Sequence, residues 1–232
     1  MKKVILIILD GWGLAPAWAG NAISFSRTPT ISSITKNYAN TALFAHGSYV
    51  GLPGHEMGNS EVGHLNIGAG RKILQDSSVI NSAIKNTSFY KNDYFIKAIE
   101  NAKKSNRPLH IMGLLSNGMV HSSIEHLFAL IDLCETKNFK NVRFHLFSDG
   151  RDTPPKSGII FFSRLEDKIT QTGVGKIATI SGRFYAMDRD NNFSRISKAT
   201  DAIVNSKGDT ANSVKKVFSF NYEQNITDEY IP

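Results

Sequence analysis

The first apolar run of the chain, Val4 to Leu9, is six consecutive Val, Ile and Leu residues and stops at Asp10. A continuous β-branched and leucine run of this length predicts a strand covered on both faces in a parallel sheet. Its carboxyl end is Asp10, followed by the turn Gly11-Trp12-Gly13, and open α/β sheets gather ligands outside the carboxyl ends of their strands. Residues 22 to 50 read as a helix around Thr30 to Tyr38 and a short strand near Thr41 to Ala45, and the Gly-rich loop GHEMGNSEVGH, Gly54 to His64, comes next.

From about Asp76 the pattern changes to helices and strands at close spacing. Helices are predicted at Asp93 to Ser105, Ile124 to Lys137 and Pro155 to Thr170, with strands at Leu109 to Leu115, Val142 to Phe147 and Lys176 to Ile180. This alternation predicts βαβ units and a second, largely parallel sheet, with a domain boundary near residues 75 to 82. The fold class is α/β.

Composition narrows the picture only a little. The chain has 232 residues, 41% hydrophobic and 20% charged, which excludes a disordered or collagen-like class. A net charge of +7 favours an anionic partner, but the 27 Lys and Arg are scattered, so a solvated lysine-rich surface accounts for the charge as well as a basic face does. No nucleic-acid motif accompanies them. The one cysteine, Cys134, excludes a disulfide framework and a Cys-based zinc site, and its apolar helical setting predicts a buried, inert thiol. Two lysines before the first apolar run imitate a signal peptide, yet six residues are too few for its apolar core. No segment approaches the length that spans a bilayer. The expectation is a cytoplasmic protein without a membrane partner.

Candidate chemistry lies past the strand ends. After Leu109 to Leu115 comes His121, followed by Ser122 and Glu125 at capping-box spacing, which places His121 at a helix N-terminus where an anion is favoured. Arg151 and Asp152 lie past Val142 to Phe147, and Arg183 and Arg189 past Lys176 to Ile180. If consecutive strands are neighbours in a parallel sheet, these residues converge on one rim. Arginine forks match phosphate and carboxylate oxygens, so the rim describes a site for a small polyanion. Arg164 and Arg195 fall within helical patterns and read as surface residues. Ser60 lacks the G-x-S-x-G spacing of a nucleophile elbow, because Gly63 follows at three residues, and its local pattern alone reads as a turn serine.

Five motifs in order, LDGWG at 9 to 13, MGNSEVGHLNIGAGR at 57 to 71, GLLSNGMVHS at 113 to 122, DGRDTPP at 149 to 155 and GRFYAMDRD at 182 to 190, resemble the cofactor-independent phosphoglycerate mutases. The resemblance implies an isomerase of glycolysis that interconverts 3-phosphoglycerate and 2-phosphoglycerate through a phosphoserine, without a 2,3-bisphosphoglycerate requirement. It implies two divalent metals, usually Mn²⁺ with Mg²⁺ as an alternative. The implied fold is an alkaline-phosphatase-like domain carrying the metals, interrupted by an inserted phosphotransferase domain. On this chain that places the beginning of the metal-binding domain at 1–76 and an incomplete substrate-binding domain at 77–232. Ser60 matches the phosphoryl acceptor, Asp10 and Ser60 match metal ligands, and His121, Arg151, Asp152, Arg183 and Arg189 match substrate-binding positions.

Members of that family are often monomeric and about twice as long, and their second half supplies most metal ligands and further arginines. The expectation is therefore an N-terminal portion that needs a missing C-terminal polypeptide. Two rival readings are a catalytically inert or split-enzyme fragment and a metal-dependent phosphatase of the same superfamily. Departures from the family pattern are Gly54-His55-Glu56 before the serine motif and Asn117 where aspartate is usual.

Overall fold

A computed structural model describes residues 3–54 and 56–232, so His55 of the tripeptide before the serine motif and Lys2 of the initial lysine pair lie outside the described residues. The chain forms two compact units, Met1–Ser78 and Val79–Pro232.

In the first unit a short link joins α1 (Ala22–Phe25) to α2 (Pro29–Asn37), a long segment with one 3-10 turn at Gly47–Val50 leads to α3 (Ser60–Ala69), and α4 (Asp76–Lys85) runs across its limit. Its buried core is small: Val50, Leu52 and Val62. The strands expected at Val4 to Leu9 and Thr41 to Ala45 do not form. Val4 is 89% and Ile7 76% exposed. The reason is the missing ladder: a buried central strand needs hydrogen-bonded neighbours on its edges, and the described residues of this unit supply none. The sequence pattern states a burial demand that the described residues of this unit leave unmet.

The Gly-rich segment behaves in the opposite way. Ser60 does not sit in a loop; it opens α3. Asn59 caps the helix by accepting the Val62 N–H at 3.0 Å, and Gly70 ends it at φ 62°. Asn66 then pins the helix to its surroundings, donating to the Val50 carbonyl at 3.1 Å and accepting from the Ile73 N–H at 2.9 Å. These tertiary bonds outweigh the helix-weakening effect of Gly63 and Gly68.

The second unit carries a mixed α/β fold with the expected parallel sheet. Strands β1 (Leu109–Leu114), β2 (Val142–Ser148) and β3 (Lys176–Gly182) lie in the order β1-β2-β3. Consecutive strands are therefore neighbours, in the register Leu114↔Phe147 and Ser148↔Gly182 at their carboxyl ends. Helices α5 (Asp93–Lys104), α6 (Ile124–Thr136) and α7 (Gly158–Thr172) alternate with the strands, and α8 (Arg183–Ala186), α9 (Phe193–Asn205) and α10 (Val214–Glu223) follow β3. Central strand β2 is buried almost throughout, and Val142, Phe144 and Leu146 pack with Ile131, Leu133, Phe162 and Leu165 of α6 and α7. Cys134 is buried in this core, and burial pushes its thiol up to about 11, so it stays protonated and inert at neutral pH.

Two expected helix starts move. The capping box at Ser122 and Glu125 is not made: Ser123 occupies the cap without a side-chain bond, the Ser122 hydroxyl is buried without a hydrogen-bond partner among the described residues, and Glu125 pairs with Arg164 at 2.8 Å. His121 thus lies in the loop ahead of α6 rather than in its first turn. Helix α7 starts at Gly158 instead of Pro155, because the Gly158 N–H finds its acceptor in Asp228, at 2.7 Å, from the far end of the chain.

The contrast between the two units is measurable. Phe144→Ala is expected to lower unfolding stability by about 3–5 kcal/mol, since it empties the fully buried centre of β2. Leu6→Ala, at a 70% exposed position, should change it by less than about 0.5 kcal/mol. Urea titration of both variants checks this, and a large loss for Leu6→Ala would mean that the first apolar run is packed.

Candidate functional site

Two groups of polar residues stand out, one in each unit. In the first, the Asp10 turn is closed by the Trp12 N–H donating to the Leu9 carbonyl at 3.1 Å, with Gly11 at φ 78°. Asp10 and Ser60 are fifty residues apart in sequence, yet the Ser60 hydroxyl donates to Asp10 Oδ2 at 2.6 Å, and both are exposed. His64 Nδ1 is 3.3 Å from the same hydroxyl but 2.8 Å from the Ser60 carbonyl oxygen. A carbonyl oxygen only accepts, so the shorter contact suits the tautomer in which Nδ1 donates to the backbone. The arrangement is a serine held by a carboxylate at a helix N-terminus, with the His64 ring turned to the Ser60 carbonyl more closely than to its hydroxyl.

Asp10 Oδ2 and Ser60 Oγ are hard oxygen donors at one corner and suit a divalent cation such as Mn²⁺ or Mg²⁺. Among the described residues no three His, Cys, Asp or Glu side chains come together as a metal-binding group. The pair fits part of a cation site without closing it.

In the second unit a cavity of about 330 Å³ opens past the carboxyl ends of the three strands. It is lined by all five residues that the strand-end argument gathered: His121, Arg151, Asp152, Arg183 and Arg189. Arg151, Asp152 and Arg183 share a support in Asp149, whose side chain is 1% exposed just past the end of β2. One oxygen accepts the Ser116 hydroxyl at 2.5 Å from beyond β1; the other accepts the Arg151 N–H at 3.2 Å, the Asp152 N–H at 3.0 Å and Arg183 Nη1 at 2.7 Å. Arg183 Nη1 also reaches Asp152 Oδ2 at 2.6 Å. Loops following all three strands are thereby tied to one carboxylate.

The electrostatics follow from these bonds. Burial alone raises the Asp149 carboxyl, but the Ser116 hydroxyl, the two backbone N–H groups and the Arg183 guanidinium outweigh it and hold it below its ordinary value. Burial likewise lowers Arg183, yet Asp152 and Asp149 hold it above its ordinary value. The two shifts agree that the pair is ionised.

Sequence reasoning missed several residues of the pocket. Phe184, Asp188, Arg195 and Glu229 also line it. Arg195 is half-buried and faces the pocket: its guanidinium lies 4.0 Å over the Phe184 ring and pairs with Asp188 at 2.9 Å. A helical pattern gives no sign of which arginine faces a neighbouring loop. Glu229, 3.5 Å from Arg151, arrives by tertiary closure, because the C-terminal segment crosses the strand ends. There the Gly182 N–H donates to the Ile231 carbonyl at 2.6 Å and the Ser148 hydroxyl to the Asp228 carbonyl at 2.7 Å. A Cβ at Gly182 would lie 2.1 Å from the Glu229 carbonyl oxygen, so only glycine permits this crossing. Arg164 remains as expected on the surface, against Glu125 and the Phe128 ring.

Comparison with known proteins agrees in both length and content. Residues 80–232 match the family described as the BPG-independent PGAM N-terminus. The chain is 47% identical over 230 residues to the 2,3-bisphosphoglycerate-independent phosphoglycerate mutase of Clostridium beijerinckii, 49% to that of a Clostridium botulinum strain and 45% to that of Moorella thermoacetica. Each match covers 99% of this chain and 45% of the relative, so the chain spans about half the length of the curated relatives it matches. Among solved structures, that of Leishmania mexicana phosphoglycerate mutase at low cobalt concentration superposes with a TM-score of 0.81 and 32% identity, over 97% of this chain and 43% of that one.

The Asp149 network has an expected pH signature. Its folded-state carboxyl is depressed, so its stabilising contribution is complete above the ordinary value of 3.8 and is lost as pH falls below it through the folded value. Asp149→Ala should cost about 3 kcal/mol at neutral pH, by leaving the buried Arg183 short of one partner. It should also flatten the acid limb of stability below pH 4. Unfolding titrations from pH 2 to 7 on both proteins test this, and parallel curves would contradict it.

Proposed function

The chain belongs to the BPG-independent phosphoglycerate mutase family, and from that premise we propose that it supplies the phosphoryl-accepting serine and the substrate pocket of a glycolytic isomerase interconverting 3-phosphoglycerate and 2-phosphoglycerate. Membership in this family means no 2,3-bisphosphoglycerate requirement. The observation that carries the reading is the gathering of His121, Arg151, Asp152, Arg183 and Arg189 around one cavity at the strand ends.

Ser60 is the proposed acceptor. Its hydroxyl proton is already directed at Asp10 Oδ2, which orients an oxygen lone pair outward, and the first-turn amides and dipole of α3 favour the anionic phosphoserine that results. Asp10 and Ser60 would hold a divalent cation, Mn²⁺ or Mg²⁺, that lowers the pKa of the serine hydroxyl and so removes the need for a neighbouring base. The geometry of His64 agrees with that, since its facing nitrogen lies nearer the Ser60 carbonyl oxygen than the hydroxyl. In the pocket, guanidinium forks bind the carboxylate and phosphate oxygens and neutralise charge during transfer. Asp152 orients the glycerate hydroxyls. Holding glycerate between two transfers separates a mutase from a phosphatase, and the arginine-lined pocket favours the former.

No helix among the described residues is long and apolar enough to cross a membrane. Further parts of the proposal are a cytoplasmic setting, a monomeric whole protein, no nucleic-acid partner and Mn²⁺ as the preferred ion. Two oxygen donors and an unpaired apolar run support a second statement, that the 232 residues by themselves are inactive.

An enolase-coupled assay with Mn²⁺ tests both. The chain alone should give no turnover. Mixed with a polypeptide covering the remaining half of the Clostridium beijerinckii relative, it should give isomerisation that Ser60→Ala lowers at least 1,000-fold, roughly to background, as expected when a covalent nucleophile is removed. Release of inorganic phosphate without isomerisation would overturn the mutase reading, and turnover by the chain alone would overturn the inactive-fragment statement.

A further inference from the structure

Four guanidiniums line the pocket, and three of them are paired: Arg183 with Asp149 and Asp152, Arg195 with Asp188, and Arg151 with Glu229. Arg189 makes no ion pair among the described residues and is exposed. Such a group is available to an incoming anion, but a long side chain on a loose loop loses affinity to the entropy of ordering. The fold holds the loop instead.

The holding element is Asp188. Its side chain is 1% exposed, and its Oδ2 accepts the N–H of Asp190 at 3.2 Å and of Asn192 at 2.7 Å, so the chain wraps around the carboxylate immediately after Arg189. Asn191 takes φ 61° inside this wrap, a left-handed conformation that asparagine tolerates. The other oxygen accepts Arg195 Nη1 at 2.9 Å from the first turn of α9. Arg195 is fixed in turn by the Phe184 ring beneath it, and Phe184 follows Arg183 and packs against Tyr230 at 4.9 Å. Burial raises the Asp188 carboxyl, while the two amides and the guanidinium outweigh it and keep it ionised.

We propose that Asp188 and Arg195 are positioning residues for Arg189: the Arg195-clamped carboxylate folds residues 188–192 so that the Arg189 guanidinium is presented unpaired to the substrate anion. The proposal rests on the reading of this cavity as a phosphoglycerate site. Arg195 acts through Asp188, with one face of its guanidinium committed to Phe184 and an edge to the carboxylate.

The test is a double-mutant cycle on 3-phosphoglycerate binding by the chain, read by calorimetry or amide shifts, with hydrogen exchange measured in the absence of ligand. Arg189→Ala, Asp188→Ala and Arg195→Ala should each weaken binding roughly tenfold, the scale of one hydrogen bond to a charged group. Asp188→Ala combined with Arg189→Ala should bind no more weakly than Arg189→Ala, whereas its combination with Arg151→Ala should be additive. Additivity with Arg189→Ala, or unchanged affinity in Asp188→Ala, would overturn the proposal. Without ligand, the Asp190 and Asn192 amides should lose exchange protection in Asp188→Ala while those of α6 keep theirs, and retained protection at 190 and 192 overturns it as well. If Asp188→Ala unfolds, Asp188→Asn, which keeps one acceptor for the loop and drops the ion pair, enters the same cycle with the same expected non-additivity. Failure of the unmodified chain to bind 3-phosphoglycerate defeats the reading of the cavity, and the exchange measurement still decides whether Asp188 orders the loop.

Discussion

A carboxylate placed out of water at the end of β2 sets the terms for the second unit. Asp149 must be fully hydrogen-bonded to stay ionised there, and its four partners come from the loops after β1, β2 and β3. Satisfying one buried charge therefore fixes three loops at once. The parallel order β1-β2-β3 makes this possible, since it delivers all three chain reversals to the same edge. The pocket is a consequence of that edge, and the sheet's core, with Phe144 and Leu146 packed under α6 and α7, gives the edge a rigid base.

The same edge is closed by residues from the end of the chain. Asp228 caps α7 through the Gly158 N–H and accepts the Tyr222 hydroxyl at 2.5 Å, while the backbone around Ile231 bonds to the end of β3. Glu229 is carried into the pocket by this closure, where it offsets the charge of Arg151. The cavity is consequently a balanced array of cations and carboxylates instead of a bare cluster of arginines. Such an array lets several guanidiniums stand close together, and it leaves Arg189 as the one without a competing carboxylate among the described residues.

The first unit shows how far local structure reaches without long-range pairing. Helix α3 forms because its cap, Asn59, and its anchor, Asn66, find partners nearby in the chain. The 2.6 Å contact between Ser60 and Asp10 needs only the Asp10 turn and the start of α3. The apolar run Val4 to Leu9 needs flanking strands and finds none among the described residues of this unit, so it is irregular and exposed. In this unit the chemistry carried by a turn and a helix end is in place, and the strand expected at Val4 to Leu9 is not.

What the sequence determined follows from periodicity and from residue type. The three strands of the second unit and their intervening helices were legible because apolar spacing reports burial directly, and the strand-end residues His121, Arg151, Asp152, Arg183 and Arg189 were legible because parallel topology sends such residues to one rim. The identity of the Ser60 region was legible from its motif, although glycine content suggested a loop where a capped helix stands. Only the tertiary structure decided which partner each polar group takes. Ser122 and Glu125 had the spacing of a cap, yet Glu125 went to Arg164; Arg195 had the look of a surface residue, yet a stack on Phe184 and a bond to Asp188 drew it inward. Hydrogen bonds and ion pairs are settled by three-dimensional proximity, which periodicity does not encode, and a strand is settled by its neighbours, which for Val4 to Leu9 are absent from the described residues.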